Sequence, residues 1–284
     1  MALQLRDSIN IPNSIEQLRS CTTELRNIVG LSAGVDVAIH RDRYLSMVDR
    51  VEPQFRNIFA DPTVWNHLYS DHYWMIHNVG EFTPRPIPLI NGEAENQARY
   101  IDSLISQLER LKNRLDAASG EMAVLDTHVL LHFQPPENVD WRNILSTEAV
   151  RLVLPLRVVE ELDMSKYRER DDIADRARRL LSQLWALLAP TAGGPVKIRP
   201  GVTVEVPVDD GPRQRTLDAD QEILNECLML KAVGQAVRLI SDDTGLSIRA
   251  TAQGVTVIPM PEQYLRKKLK VAEAADANSQ IDDL

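Results

Sequence analysis

The chain has 284 residues, 44% hydrophobic and 26% charged, with a formal net charge of −9. That length accommodates one large or two modest domains with a sizeable core, and the acid excess argues against a general nucleic-acid coat. No apolar run approaches the roughly 18 residues of a membrane span, the start "MALQLRDSIN" lacks a basic segment followed by an apolar one, and Cys21 and Cys227 make neither a metal motif nor a disulfide framework, so the expected location is cytoplasmic.

The amino-terminal part, residues 1–118, reads as an all-α accessory domain. Ser14 is the expected cap of a first helix carrying Ile15, Leu18, Leu25, Ile28 and Val29 on one stripe. A second helix includes Tyr44, Leu45, Val48 and Val51. Pro53, Pro62 and the run "TPRPIPLING" (83–92) punctuate the chain beyond it. Ile101, Leu104, Ile105, Leu108, Leu111 and Leu115 then recur at helical spacing, with Gly120 as the stop. His67, His72 and His77 lie among Trp65, Tyr69, Tyr73 and Trp74. Their five-residue steps do not keep one helix face, so a core or partner surface is expected there in preference to a metal site.

From residue 121 the texture changes. "MAVLD" (122–126) and "RLVLP" (151–155) read as strands, and "LRVVEELDMSKY" as a helix after Pro155. Residues 172–189 form an amphipathic helix. "VTVEVPV" (202–208) alternates, with Val202, Val204, Val206 and Val208 on one face. Residues 220–232 are helical, "AVRLIS" (236–241) is a strand, "TGLSIRATAQ" a short helix, and "VTVIP" (255–259) the last strand. Strands alternating with helices imply a parallel sheet flanked by helices over 121–262. Residues 263–284 read as a basic helix, "YLRKKLK", followed by a polar, disordered tail.

Acidic residues fall at equivalent points of this alternation. Asp126 closes the first strand. Glu161, with Glu160 as rival, lies in the helix after the second. Asp220 opens a helix, with Asp218 two residues earlier. Asp242 and Asp243 follow the strand "AVRLI" directly. Parallel sheets bind ligands outside the carboxyl ends of their strands, and converging carboxylates need a cation between them to stay ionised together. Oxygen donors suit Mg²⁺ or Mn²⁺. Carboxylates without a Gly-rich phosphate loop point to metal-assisted phosphodiester hydrolysis, one metal activating a water and a second stabilising the leaving oxygen.

The ordered set "AVLDTHVLL", "LVLPLRVVEELDMSK", "DADQEIL" and "VRLISDDTGLSIRATAQGVTV" resembles the successive motifs of the PIN domain nuclease family over about 121–260. The resemblance implies a PIN-like α/β/α sandwich with a central parallel sheet and Mg²⁺- or Mn²⁺-dependent cleavage of RNA, single-stranded RNA being the expected substrate. It implies Asp126, Glu161, Asp220 and Asp243 as the catalytic metal ligands, with Asp242 a competitor for the last position. Three departures stand out. His128 occupies a position where the family often has asparagine, Gly245 one where a polar residue is frequent, and residues 190–217 add a strand or hairpin.

Weaker candidates surround this set. Thr127 either bonds a ligand or caps its helix, and Lys166 reads as exposed. Arg168, Arg170, Arg176, Arg178 and Arg179 alternate with Glu169, Asp171, Asp172 and Asp175, the pattern of an ion-paired surface helix, although they could track a nucleic-acid backbone. The expected activity is that of a metal-dependent endoribonuclease, the helical domain serving a homo-oligomer or a regulatory protein. A scaffold that no longer cuts and a toxin or defence nuclease controlled by the helices are the alternatives.

Overall fold

The computed structural model describes residues 4–31, 34–80, 82–167, 171–207 and 218–266. Five helices come first: α1 (Ile11–Gly30), α2 (Val37–Ile58), α3 (Pro62–Asn66), α4 (Asp71–His77) and α5 (Pro86–Asp116). Helix α1 starts earlier than its sequence suggests. Asn10, not Ser14, is the cap, and its side chain accepts from the Asn13 N–H. Ser14 is buried inside the first turn with its hydroxyl on the Asn10 carbonyl. Four prolines expected as breaks, Pro53, Pro62, Pro86 and Pro88, are absorbed into helices. Pro53 lies within α2, where burial of Val51, Phe55 and Ile58 opposes the loss of one backbone hydrogen bond. Pro86 begins α5, where the first N–H groups lack intrahelical partners in any case. The apolar stripe of α5, Ile101, Leu104, Ile105, Leu108 and Leu111, is buried against α1.

The sheet region begins at residue 121. Its elements are β1 (Glu121–Leu125), α6 (Thr127–His132), α7 (Trp141–Leu145), β2 (Val150–Val153), α8 (Leu156–Ser165), α9 (Asp171–Leu188), β3 (Val196–Arg199), β4 (Val202–Glu205), α10 (Ala219–Ala232), β5 (Val237–Ile240), α11 (Thr244–Ala252) and β6 (Thr256–Ile258). The strand order is β3-β4-β2-β1-β5-β6. Strands β4, β2, β1, β5 and β6 are mutually parallel, and β3 pairs antiparallel with β4. The sheet is therefore mixed: the insertion at 190–207 folds as an edge hairpin. Val208 and residues 209–217 lie outside the described residues, as do Arg168, Arg170, Glu169 and the tail from 267. The expected basic helix at "YLRKKLK" does not begin where its sequence suggests. Glu262–Tyr264 is a 3-10 turn, and Leu265 forms an isolated bridge with Phe133, which ties this segment to the end of α6.

Helices flank the sheet in an α/β/α arrangement. Strands β1 and β2 are buried almost throughout, as expected of central parallel strands covered on both faces. The helical part and the sheet part each have their own core cluster, with Leu115 and Met229 packed against both. A charged joint ties them. Arg151 of β2, 1% exposed, donates to the carbonyls of Arg114, Leu115 and Ala118 at the end of α5 and to Glu205 Oε2 at 2.7 Å. Arg114 donates to Glu205 Oε1 at 3.1–3.2 Å and pairs with Glu226 at 2.8 Å. A guanidinium placed on the last carbonyls of a helix suits the negative end of its dipole.

Candidate active site at the carboxyl edge of the sheet

The chain runs from β1 outward through β2 to β4, then returns to place β5 on the other side of β1. The carboxyl ends of β1 and β5 therefore meet at a topological switch point, the ligand-binding crevice of open α/β sheets. Register fixes what stands there. Leu125 pairs with Ile240, so Asp126 and Ser241 are the next residues on each strand. Asp126 donates its N–H to the Ile240 carbonyl at 3.2 Å. The Ser241 hydroxyl donates to Asp126 Oδ2 at 2.7 Å and accepts the Asp243 N–H at 3.0 Å. Asp126 is 7% exposed and Ser241 1%. One hydroxyl thus couples the acid after β1 to the acid after β5.

Both acids also start helices. Asp126 is the N-cap of α6, accepting weakly from the His128 N–H at 3.4 Å. Asp243 is the N-cap of α11, its Oδ1 accepting from the Leu246 N–H at 2.8 Å. The neighbouring Asp242 turns the other way and accepts from the Met260 N–H at 3.2 Å. A Cβ at Gly245 would lie 3.2 Å from Asp243 Oδ1. The absence of a side chain there leaves the Asp243 carboxylate room.

Asp220 enters from α10. Asp218 caps that helix through the Asp220 N–H. Burial pushes the Asp220 carboxyl up, and so do the charges of Asp243, Asp218 and Asp126, with Arg249 opposing. Asp126, Asp220 and Asp243 therefore share one field. Arg249 of α11 pairs with Asp220 and with Asp218 at 2.7 Å, and this bond holds the exposed Asp218 carboxyl down. Glu161 of α8 is reached through Thr127, whose hydroxyl donates to Glu161 Oε2 at 2.5 Å. Its rival Glu160 faces Arg157 at 3.4 Å. Lys166 pairs with Asp163 at 2.5 Å.

The structure thus brings Asp126, Asp220 and Asp243 to one edge, with Glu161 joined to it by Thr127, and turns Asp242 to the backbone beyond the last strand. Sequence reasoning missed Ser241 and Arg249. A serine between an apolar strand and an acid is a weak signal of a hydroxyl bridge. Arg249 carries no local signal, since its partners lie on another helix. Among the described residues no group of three or more His, Cys, Asp and Glu side chains is gathered closely enough to hold a metal ion together, and Arg249 supplies the positive charge beside Asp220 instead. The donors are nevertheless carboxylate oxygens of the kind that hard divalent cations take, and burial, together with the neighbouring acids, raises the Asp220 carboxyl.

The histidines of the helical part are engaged otherwise. His72 meets the buried Glu93 at 3.2 Å, His77 meets the Tyr73 hydroxyl at 3.1 Å, and His67 stacks on Tyr100. Tyr73 and Trp65 are buried, while Trp74 is exposed.

Residues 123–260, just under half of the chain, match the family model of the PIN domain. The carboxy-terminal part is therefore a PIN domain, a nuclease-like fold, carried behind a helical amino-terminal region. No curated protein matches the chain. Among solved structures, a domain of a functionally unknown protein from Methanocaldococcus jannaschii DSM 2661 is similar at 15% identity and a TM-score of 0.33, over 54% of this chain and 99% of that one. No helix among the described residues is long and apolar enough to cross a membrane.

Proposed function

We propose that the protein is a metal-dependent endoribonuclease that hydrolyses phosphodiester bonds of single-stranded RNA. The observation that carries this reading is the coupling of Asp126 to Asp243 through Ser241 at the switch point, with Asp220 in the same field. Asp126, Asp220 and Asp243, with Glu161 behind Thr127, are the residues that would hold Mg²⁺ or Mn²⁺. Bound there, the cation would lower the pKa of a water and neutralise charge on the phosphate. The chain's own part is to fix these acids: Ser241 orients Asp126, the start of α11 orients Asp243, and Thr127 orients Glu161. Arg249 holds Asp220, and a bound cation would compete with it.

Incubation of the protein with a labelled single-stranded RNA and Mn²⁺ tests the reading. Internal cleavage that stops on addition of chelator is the expected result, and an intact RNA would refute it. The Arg249 pairing and the lack of a closed donor group among the described residues favour a second reading, a PIN-like scaffold that binds without cutting. Calorimetry with Mn²⁺ separates the two, because a scaffold of this kind takes up no Mn²⁺. Control by the helical region, as in a toxin or defence nuclease, would show as growth arrest on expression that Asp126→Asn relieves.

A further inference from the structure

Two basic segments that are far apart in sequence meet at the far end of α6. Arg176 of α9 donates from Nη1 to the Leu131 carbonyl at 3.3 Å. The Arg266 N–H donates to the adjacent His132 carbonyl at 3.0 Å, and the Phe133–Leu265 bridge and the Gln134 N–H on the Tyr264 carbonyl hold that segment in place. Arg179 stands one turn along α9 from Arg176. Burial and the charges of Arg176 and Arg179 push the Arg266 guanidinium down, with Glu137 opposing. Arg176 is partly matched by Asp172 at 3.5 Å. Arg179 gives its Nε to the Asp175 carbonyl, and among the described residues no carboxylate pairs with Arg179 or Arg266 in a salt bridge. Three guanidinium groups gathered beyond what nearby acids neutralise favour an anion, and arginine forks match phosphate oxygens.

The position of this cluster gives it a use. Helix α6 begins at Asp126, and its six residues rise about 9 Å, the reach of a nucleotide or two of extended strand. His128, exposed in the first turn of α6, stacks on His132 with ring centroids 4.2 Å apart, and ring faces near positive charge are how single strands are held without sequence preference.

We propose that Arg176, Arg179 and Arg266 form a subsite for the backbone phosphates of a single-stranded nucleic acid, which runs from Asp126 along α6 past the His128–His132 stack. The proposal rests on the nuclease reading for the direction of the strand, not for its chemistry. Arg176 also caps α6, so the informative positions are Arg179 and Arg266.

The test is fluorescence anisotropy of the full chain with labelled single-stranded RNA and with DNA of the same sequence, in chelator, over a range of salt. The double variant Arg179→Gln/Arg266→Gln is expected to bind roughly tenfold more weakly or worse, with a salt slope shallower by about 1 to 1.5. The Arg179→Lys/Arg266→Lys pair is expected to retain most of the binding, and unchanged circular dichroism would show that both variants fold. Similar losses on RNA and DNA support a backbone subsite. Binding of the Gln variant equal to wild type, or no binding of either strand by wild type, overturns it. Because the assay needs no cleavage, an inactive protein whose binding still depends on these arginines would sink the nuclease reading alone. An active protein indifferent to them would sink the subsite alone.

Discussion

At Asp220 opposing influences are resolved in favour of the proton. Burial and the acids Asp243, Asp218 and Asp126 raise its carboxyl above the ordinary value of 3.8, and Arg249 does not cancel them. An acid raised in the folded state holds its proton more tightly there than in the unfolded chain. It therefore costs stability as pH climbs above the unfolded value, and the cost is complete above the folded one. In chelator, Asp220→Asn is expected to melt at a higher temperature than wild type near pH 7, and the gain should shrink as pH falls to about 4. A variant that melts lower near neutral pH would contradict this. Asp126, Asp220 and Asp243 were legible in the sequence because each ends or follows a strand or opens a helix, whereas Glu161, inside α8, was singled out by the family resemblance. Their connections were not: Ser241 touches Asp126 only because β5 lies beside β1 in register, and Arg249 reaches Asp218 and Asp220 across two helices. Gly245 looked like a departure from the family and finds its reason in the space beside Asp243.

The elements divide between those that announce themselves and those that packing decides. Strands β1, β2, β5 and β6 were legible as short β-rich runs, and the long apolar stripe of α5 was legible at helical spacing. The cap of α1 and the helix through Pro53 were not, since burial of α2 against the helical core outweighs the local signal to break. The run "YLRKKLK" suits a helix by composition, but its described residues do not start one, because Tyr264 and Leu265 anchor to the end of α6 by backbone bonds. The β3–β4 hairpin, legible as an added strand or hairpin, turns on Gly201. Its φ is +73°, and a Cβ there would lie 2.7 Å from the Glu148 carbonyl oxygen. Gly201→Ala is expected to destabilise the protein by about 1–3 kcal/mol, seen as a lower urea midpoint at unchanged slope. An unchanged midpoint would show that the hairpin adapts without cost.

Across the whole molecule, the charged joint at β2 links the helical part to the sheet that carries the site. Glu205, 1% exposed, accepts from both Arg151 and Arg114. Its removal leaves two guanidinium groups without their shared carboxylate, so Glu205→Ala is expected to cost about 3–5 kcal/mol, measured by urea unfolding monitored through both circular dichroism and tryptophan fluorescence. A change below about 1 kcal/mol would place the joint among pairs that contribute little. The joint was not legible in sequence, because Arg151 sits in an apolar strand and its partners are the end of α5 and a strand more than 50 residues further along the chain. The α/β/α architecture was legible, since alternation of strand and helix dictates it. We propose that the acids at the carboxyl edge run metal-dependent hydrolysis of RNA. The most direct test is the initial rate of RNA cleavage in Mn²⁺ by wild type and by Asp126→Asn at matched concentration. A loss of at least about 100-fold is expected in the variant with its fold intact. Equal rates in the two proteins would contradict it.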